Sequence, residues 1–106
     1  TGLGGTASQA SLNHPEAIIF SPDELLYIAD KANGRVCRIE NNGNLTEVEI
    51  KYSDGKKAFI SASALAFDLQ GQLLISNQAN RRLQRVETDE KGNHILKTIA
   101  GTGYLP

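Results

Sequence analysis

Residues 17–40, AIIFSPDELLYIADKANGRVCRIE, and residues 64–87, ALAFDLQGQLLISNQANRRLQRVE, are two copies of one unit. They align without a gap at an offset of 47, and nine of the 24 aligned pairs are identical. Most of the other pairs exchange similar side chains, as Ile18 and Leu65 do. A fold for this chain must therefore use one structural unit twice.

Each unit contains four short apolar runs separated by turn-forming residues, which predicts four β-strands. In the first unit the predicted strands are Ala17–Phe20, Leu25–Ala29, Arg35–Ile39 and Leu45–Ile50. In the second unit they are Leu65–Asp68, Leu73–Ser76, Arg82–Val86 and His94–Ala100. The 3.6-residue periodicity of helical repeats is missing, and a period of about 40 to 50 residues with several strands per unit is typical of β-propellers. The sequence predicts an all-β fold of two four-stranded antiparallel blades, part of a six-bladed ring, with residues 1–51 and 52–106 as the two blades.

Composition narrows the range of partners. The chain has 106 residues, 40% of them hydrophobic and 22% charged, which is the composition of one globular domain. No apolar run approaches the roughly 18 residues of a membrane helix. The formal net charge of −1 gives no overall field for a polyanion, so nucleic-acid binding would require a local basic patch. The one cysteine, Cys37, cannot form an internal disulfide and is expected to be a small buried side chain.

The order of motifs in the first unit resembles the NHL repeat and, more distantly, the gluconolactonase-like six-bladed propellers. The resemblance is carried by Pro15-Glu16-Ala17-Ile18-Ile19-Phe20, Leu26-Tyr27-Ile28-Ala29-Asp30, Asn33-Gly34-Arg35-Val36-Cys37-Arg38-Ile39 and Gly43-Asn44. The glycine-rich stretches at residues 2–15 and 99–103 resemble the two halves of the connector between such blades. The second unit departs from the pattern, with Asn77 where an aspartate is usual.

The resemblance implies a non-enzymatic binding or scaffold segment that recognises a protein or ligand through loops on one face. It also implies a secreted or cell-surface bacterial protein. Two alternatives stay open: a fragment of a metal-dependent propeller lactonase or lyase, and an engineered or excised repeat module without native activity. Fold alone does not choose among these functions.

Polar residues recur at one place in each unit. They are Asp30, Asn33 and Arg35 in the first unit and Asn77, Asn80 and Arg82 in the second. A ring of ligand contacts is one interpretation. A structural role is favoured, because asparagine suits a left-handed turn position and an arginine two residues later can bond the acidic or amide side chain across the hairpin. We therefore expect Asn33 and Asn80 to hold left-handed positions.

Residues that break the repeat are better candidates for ligand binding, because packing between units does not require them. Arg81 replaces Gly34 of the first unit and stands beside Arg82 in one hairpin loop. The connector adds Tyr52, Lys56, Lys57 and Phe59. If the loops and the connector open on one face, these side chains would form a site for an anionic ligand or RNA. A solvated charged surface is the simpler interpretation.

The sequence has no motif for catalysis, for metal binding or for an organic cofactor. His14 and His94 are far apart, and no cluster has metal-ligand spacing. Glu16 stands where gluconolactonase-like enzymes carry a metal-binding glutamate, but the residues that frame it there differ here.

The two predicted blades would each bury their faces against a neighbour, so a pair of blades would expose two outer faces. The end of the chain joined to its start rebuilds a full connector, which suits head-to-tail assembly. Three two-bladed chains would close a six-bladed ring. We expect a head-to-tail homo-oligomer, a trimer, or a section of a longer propeller chain.

Overall fold

The computed structural model describes residues 15–78 and 81–101, and these fold almost entirely as β-structure. The predicted all-β class is confirmed. A 3-10 turn at Lys31–Asn33 interrupts the strands. The strands are β1 Pro15–Phe20, β2 Leu26–Asp30, β3 Arg35–Ile39, β4 Leu45–Glu47, β5 Ile50–Lys51, β6 Ala62–Phe67, β7 Leu73–Asn77, β8 Arg82–Thr88 and β9 His94–Ala100.

The strands form two sheets, each built on a four-stranded antiparallel meander. The first sheet has the order β1-β2-β3-β4, and the second has the order β5-β9-β8-β7-β6. Strands β1 and β6, and likewise β2 and β7, begin and end 47 residues apart. A bulge recurs as well, between Pro15 and Ala17 and again between Ala62 and Ala64. The sequence repeat is therefore a structural repeat.

The predicted fourth strand of the first unit, Leu45–Ile50, is divided between the two sheets. Its first part stays on β3, and the last bond to that strand runs from the Val48 N–H to the Val36 carbonyl at 2.8 Å. Its last part, β5, pairs in parallel with His94 and Ile95 of β9. The first unit thus supplies the edge strand of the second sheet, a long-range pairing that no local pattern predicts.

Five tight turns share one hydrogen-bond pattern. In each, the first residue's N–H bonds the carbonyl of the fifth, and the fourth residue's N–H bonds the carbonyl of the first. The fourth residue has a positive φ, the geometry of a type I turn followed by a left-handed residue. Four turns place glycine there, and the first uses Glu24 at φ 67°. The turns are residues 21–25, 40–44, 52–56, 68–72 and 89–93.

The two sheets pack through unlike faces. Tyr27, Ala29 and Val36 of the first sheet contact a face of the second sheet that contains Leu73 and Ile75, and together they form the main apolar core. Leu73 and Ile75 are the repeat equivalents of Leu26 and Ile28, which lie on the opposite face of the first sheet. The packing is therefore head to tail, because the back of one unit meets the front of the next.

The outward face of the first sheet is the equivalent of the packed face of the second. Ile28, Cys37 and Leu45 on this face are buried, whereas Ile18 and Phe20 of β1 are 67% and 66% exposed. Their equivalents in the second sheet, Leu65 and Phe67, are packed against the core. The same two positions are thus covered in one unit and open in the other.

Candidate functional site

Asp30 is the centre of a buried polar network at the end of β2. Its Oδ2 accepts a bond of 2.7 Å from Arg35 Nε and one of 2.8 Å from Asn33 Nδ2. The Asp30 carboxylate has no exposed surface, and Arg35 is 9% exposed. A buried carboxylate is tolerated only with such partners. The bonds join β2 to β3 across their connection, which is the structural role that the sequence favoured for the first set.

The second unit builds the equivalent position without an ion pair. Asn77 is buried, its Nδ2 donates to Gln84 Oε1 at 2.9 Å, and its Oδ1 accepts from the Ser61 N–H at 3.3 Å. Gln84 in turn donates to Thr98 at 3.2 Å. Gln84 stands where the first unit has Cys37, so the exchange of aspartate for Asn77 is accompanied by a new amide partner. Asn80 lies outside the described residues.

The prediction that Asn33 holds a left-handed turn position is wrong. Asn33 ends the 3-10 turn, and the positive φ falls on the next residue, Gly34, at 67°. In the second unit Arg81 takes this conformation at φ 56°. A 3-10 turn closes with a left-handed cap, here by a bond of 3.0 Å from the Gly34 N–H to the Lys31 carbonyl. The asparagine is needed for its side-chain bond to Asp30 instead.

The segment between the sheets is a small hairpin rather than an open loop. Lys51 and Lys57 form an isolated antiparallel β-bridge, and the Ala58 N–H donates to the Ile50 carbonyl at 2.9 Å. Lys57 Nζ lies 2.8 Å from Glu47 Oε2, so its charge is compensated. Lys56 is exposed within the turn.

The hairpin carries two aromatic residues to the end of the sheets where β2 meets β3. The Tyr52 hydroxyl accepts a bond of 3.2 Å from the Phe59 N–H, and Phe59 is 55% exposed. The Ile60 N–H bonds the Gly34 carbonyl at 2.8 Å, and a β-carbon at Gly34 would lie 2.1 Å from Phe59 Cε2. We call Tyr52, Lys56 and Phe59 the connector surface.

The structure brings together part of the predicted ligand set. Tyr52 and Phe59 are joined, and Lys56 lies in the same hairpin, whereas Lys57 is held by Glu47. Arg81 and Arg82 lie beside Gly101, where a β-carbon would be 2.7 Å from the Arg81 carbonyl oxygen.

Tyr27 is a residue that the sequence reasoning did not select. It packs edge to face on Phe67 of the other sheet, with ring centroids 5.1 Å apart. Comparison of the two units could have indicated Tyr27, because its repeat equivalent is Leu74 and the exchange adds a hydroxyl group to an otherwise apolar position.

The acidic, histidine and cysteine side chains of the described residues form no metal site. His94 Nδ1 lies 3.2 Å from the Thr88 hydroxyl, and no group of three or more His, Cys, Asp or Glu side chains there could hold a metal ion. His14 and the Glu16 side chain lie outside the part of the chain that the structure describes. The Cys37 thiol is fully buried, and burial raises its pKa to about 11.

Family models and curated proteins identify no relative of this chain. Within residues 15–78 and 81–101 no helix has the length and hydropathy of a membrane span. A scan against protein-family models and a search of curated proteins both give no match to this chain.

Proposed function

We propose that this chain is a non-enzymatic scaffold and binding segment of an NHL-like β-propeller, in which sheets stack through one recurring interface. The observation that carries the proposal is the head-to-tail packing of the two sheets. Its contact surfaces are the Tyr27 face of one unit and the Leu73 face of the next. Because both units derive from one repeat, the same two surfaces recur on the outer sides of the pair.

The outer surfaces complement each other in the way that the inner ones do. Phe67 packs on Tyr27 in the internal interface. The repeat equivalents of these residues are Phe20 and Leu74, and Phe20 is exposed. A further unit would therefore place its Leu74 against Phe20, and burial of an exposed phenylalanine favours that contact.

The occupant that we propose for these faces is a second copy of this chain. A heterologous contact repeats around an axis and closes when the rotation divides the circle, so three two-sheet copies would complete a six-bladed ring. In a longer chain the same surfaces would receive further repeats of that chain.

Recognition of other molecules is assigned in this proposal to the connector surface. Tyr52 and Phe59 are exposed aromatics, and Lys56 adds one positive charge beside them. Amphipathic aromatics are typical of protein and ligand contacts. Nucleic acid is not the favoured partner, because the net charge is −1 and Lys57 is compensated by Glu47.

The stacking proposal is tested by light scattering coupled to size exclusion on the full chain. We expect the wild type to be an oligomer of the 11.4 kDa chain, with three copies as the closed form. Phe20→Lys and Leu74→Lys should each block one of the two complementary faces and give monomers. A mixture of the two variants should form heterodimers, because each retains the face that the other has lost.

Phe67→Lys is the matched control for Phe20→Lys. It places the same change at the equivalent position of the other unit, where the side chain is packed against the core, so it should unfold the chain rather than dissociate it. A folded wild-type monomer of 11.4 kDa at micromolar concentration would contradict the proposal, as would a mixture of the two variants that stays monomeric.

A further inference from the structure

A cleft of about 130 Å³ lies between the two sheets, beside the tight turns at residues 68–72 and 89–93. Its walls include the apolar side chains of Phe67 and Val86. Five polar side chains also line it: Tyr27, Arg38, Gln72, Thr88 and His94. The volume is close to that of the roughly 150 Å³ cavity that accommodates benzene in an engineered protein core.

The polar groups of the cleft retain hydrogen-bond donors for a ligand. Arg38 Nε donates to Glu40 Oε2 at 2.7 Å, and Arg38 Nη1 donates to the Tyr27 hydroxyl at 3.1 Å. A guanidinium group has five N–H donors, so these bonds leave others for a further acceptor. The Tyr27 hydroxyl accepts from Arg38 and keeps its own proton to donate.

His94 extends this donor set. Its Nδ1 lies 3.2 Å from the Thr88 hydroxyl. With that hydroxyl as the donor, neutral His94 carries its proton on Nε2 and is itself a donor.

The cleft is a departure from the repeat, although its ion pair is not. Arg85 and Glu87 form an equivalent pair at 3.0 Å on the outward face of the second sheet, where Leu74 replaces Tyr27. The Arg38 ion pair is therefore a feature of both units. The Tyr27 hydroxyl and His94 are present at the cleft around Arg38 but not at the equivalent surface around Arg85.

We propose that this cleft binds a small aromatic monocarboxylate. Its apolar walls and volume suit a single ring, and its donors suit a carboxylate. One negative charge is preferred to two, because the Glu40 carboxylate beside Arg38 repels a second charge. The inference goes beyond the scaffold function and uses neither of the outer faces that carry Phe20 and Leu74, so the two proposals can fail separately.

Benzoate is the probe, followed by amide chemical shifts of the full chain in solution. The amides of Gly71 and Gln72, which line the cleft, should shift saturably with a Kd on the order of 1 mM, which is the expectation for a ligand of this size. Benzamide, which has the same ring without the charge, should bind more weakly by roughly tenfold.

Two substitutions separate the cleft from the repeated ion pair. Arg38→Gln should weaken benzoate binding by roughly tenfold or more, whereas the matched Arg85→Gln should leave it unchanged. If Arg38→Gln fails to fold, Tyr27→Phe retains the ring and should weaken binding by at least about twofold. Shifts that stay linear with concentration, or equal losses in the Arg38 and Arg85 variants, would overturn the proposal.

Discussion

The buried ion pair between Asp30 and Arg35 allows a quantitative prediction for Asp30→Ala. The Asp30 carboxylate has no exposed surface and accepts bonds from Arg35 Nε and Asn33 Nδ2 at 2.7 and 2.8 Å. The substitution leaves the 9%-exposed Arg35 guanidinium without its carboxylate, which costs about 3–5 kcal/mol of unfolding free energy. Since a domain of this kind has about 5–15 kcal/mol in total, the variant should be close to its unfolding threshold.

The equivalent substitution in the second unit is the control. Asn77→Ala removes neutral amide bonds to Gln84 and Ser61, and the loss should be about 1–3 kcal/mol. Urea denaturation followed by circular dichroism measures both variants, with a common slope required for the comparison. The double variant Asp30→Ala with Arg35→Ala should be less destabilised than the sum of the single losses, because it removes the buried charge as well.

A loss for Asp30→Ala no larger than that for Asn77→Ala would refute this reasoning. So would additive losses in the double variant. Either result would mean that the pair does not stabilise the hairpin, and the ring of recurring polar residues would then have to be reconsidered as a ligand site.

Three further predictions concern single positions. Gly34→Ala should destabilise the chain by more than about 1 kcal/mol, because residue 34 has a positive φ and the new β-carbon meets the Phe59 ring. In a double-mutant cycle measured by urea denaturation, Phe59→Ala should remove the part of this loss that comes from the clash with the ring. Strictly additive losses would argue against that contact. The Cys37 thiol, with its pKa raised by burial to about 11, should react with a thiol reagent at pH 8 only as fast as the chain opens, and rapid labelling of the folded chain would contradict its burial. The pKa of Glu40 is lowered by bonds from the Thr46 hydroxyl and Arg38, so its contribution to the free energy of unfolding is present above the unfolded pKa and lost as pH falls through the folded value. The melting temperature of Glu40→Gln should therefore lie below that of the wild type at pH 7 and approach it below about pH 4. A difference in melting temperature that does not change with pH would exclude this linkage.

The sequence by itself determines the local elements of this protein. The 47-residue repeat predicted the all-β class, and β2 and β7 lie within one residue of their predicted bounds, because apolar runs bounded by turn formers depend on near neighbours alone. Turn chemistry is equally local: four of the five tight turns show glycine at the left-handed residue. The polar set was found for the same reason, since Asp30 and Arg35 are close in the chain.

The sequence did not predict which of two adjacent residues takes the left-handed conformation. Asparagine and glycine are adjacent at Asn33 and Gly34, and either type tolerates a positive φ. The 3-10 turn at Lys31–Asn33 placed the left-handed residue one position later. The side chain of Asn33 was then left to bond Asp30.

Only the tertiary structure decided which surfaces meet. Both faces of each predicted sheet carry apolar residues, so the pattern alone could not say that Tyr27 would face Phe67 while Phe20 stayed exposed. The transfer of β5 to the second sheet depends on pairing with β9, far along the chain. The cleft exists because that packing brings Arg38 and His94 to one space. Such contacts are set by the fit of whole sheets, which a repeat in one dimension does not encode.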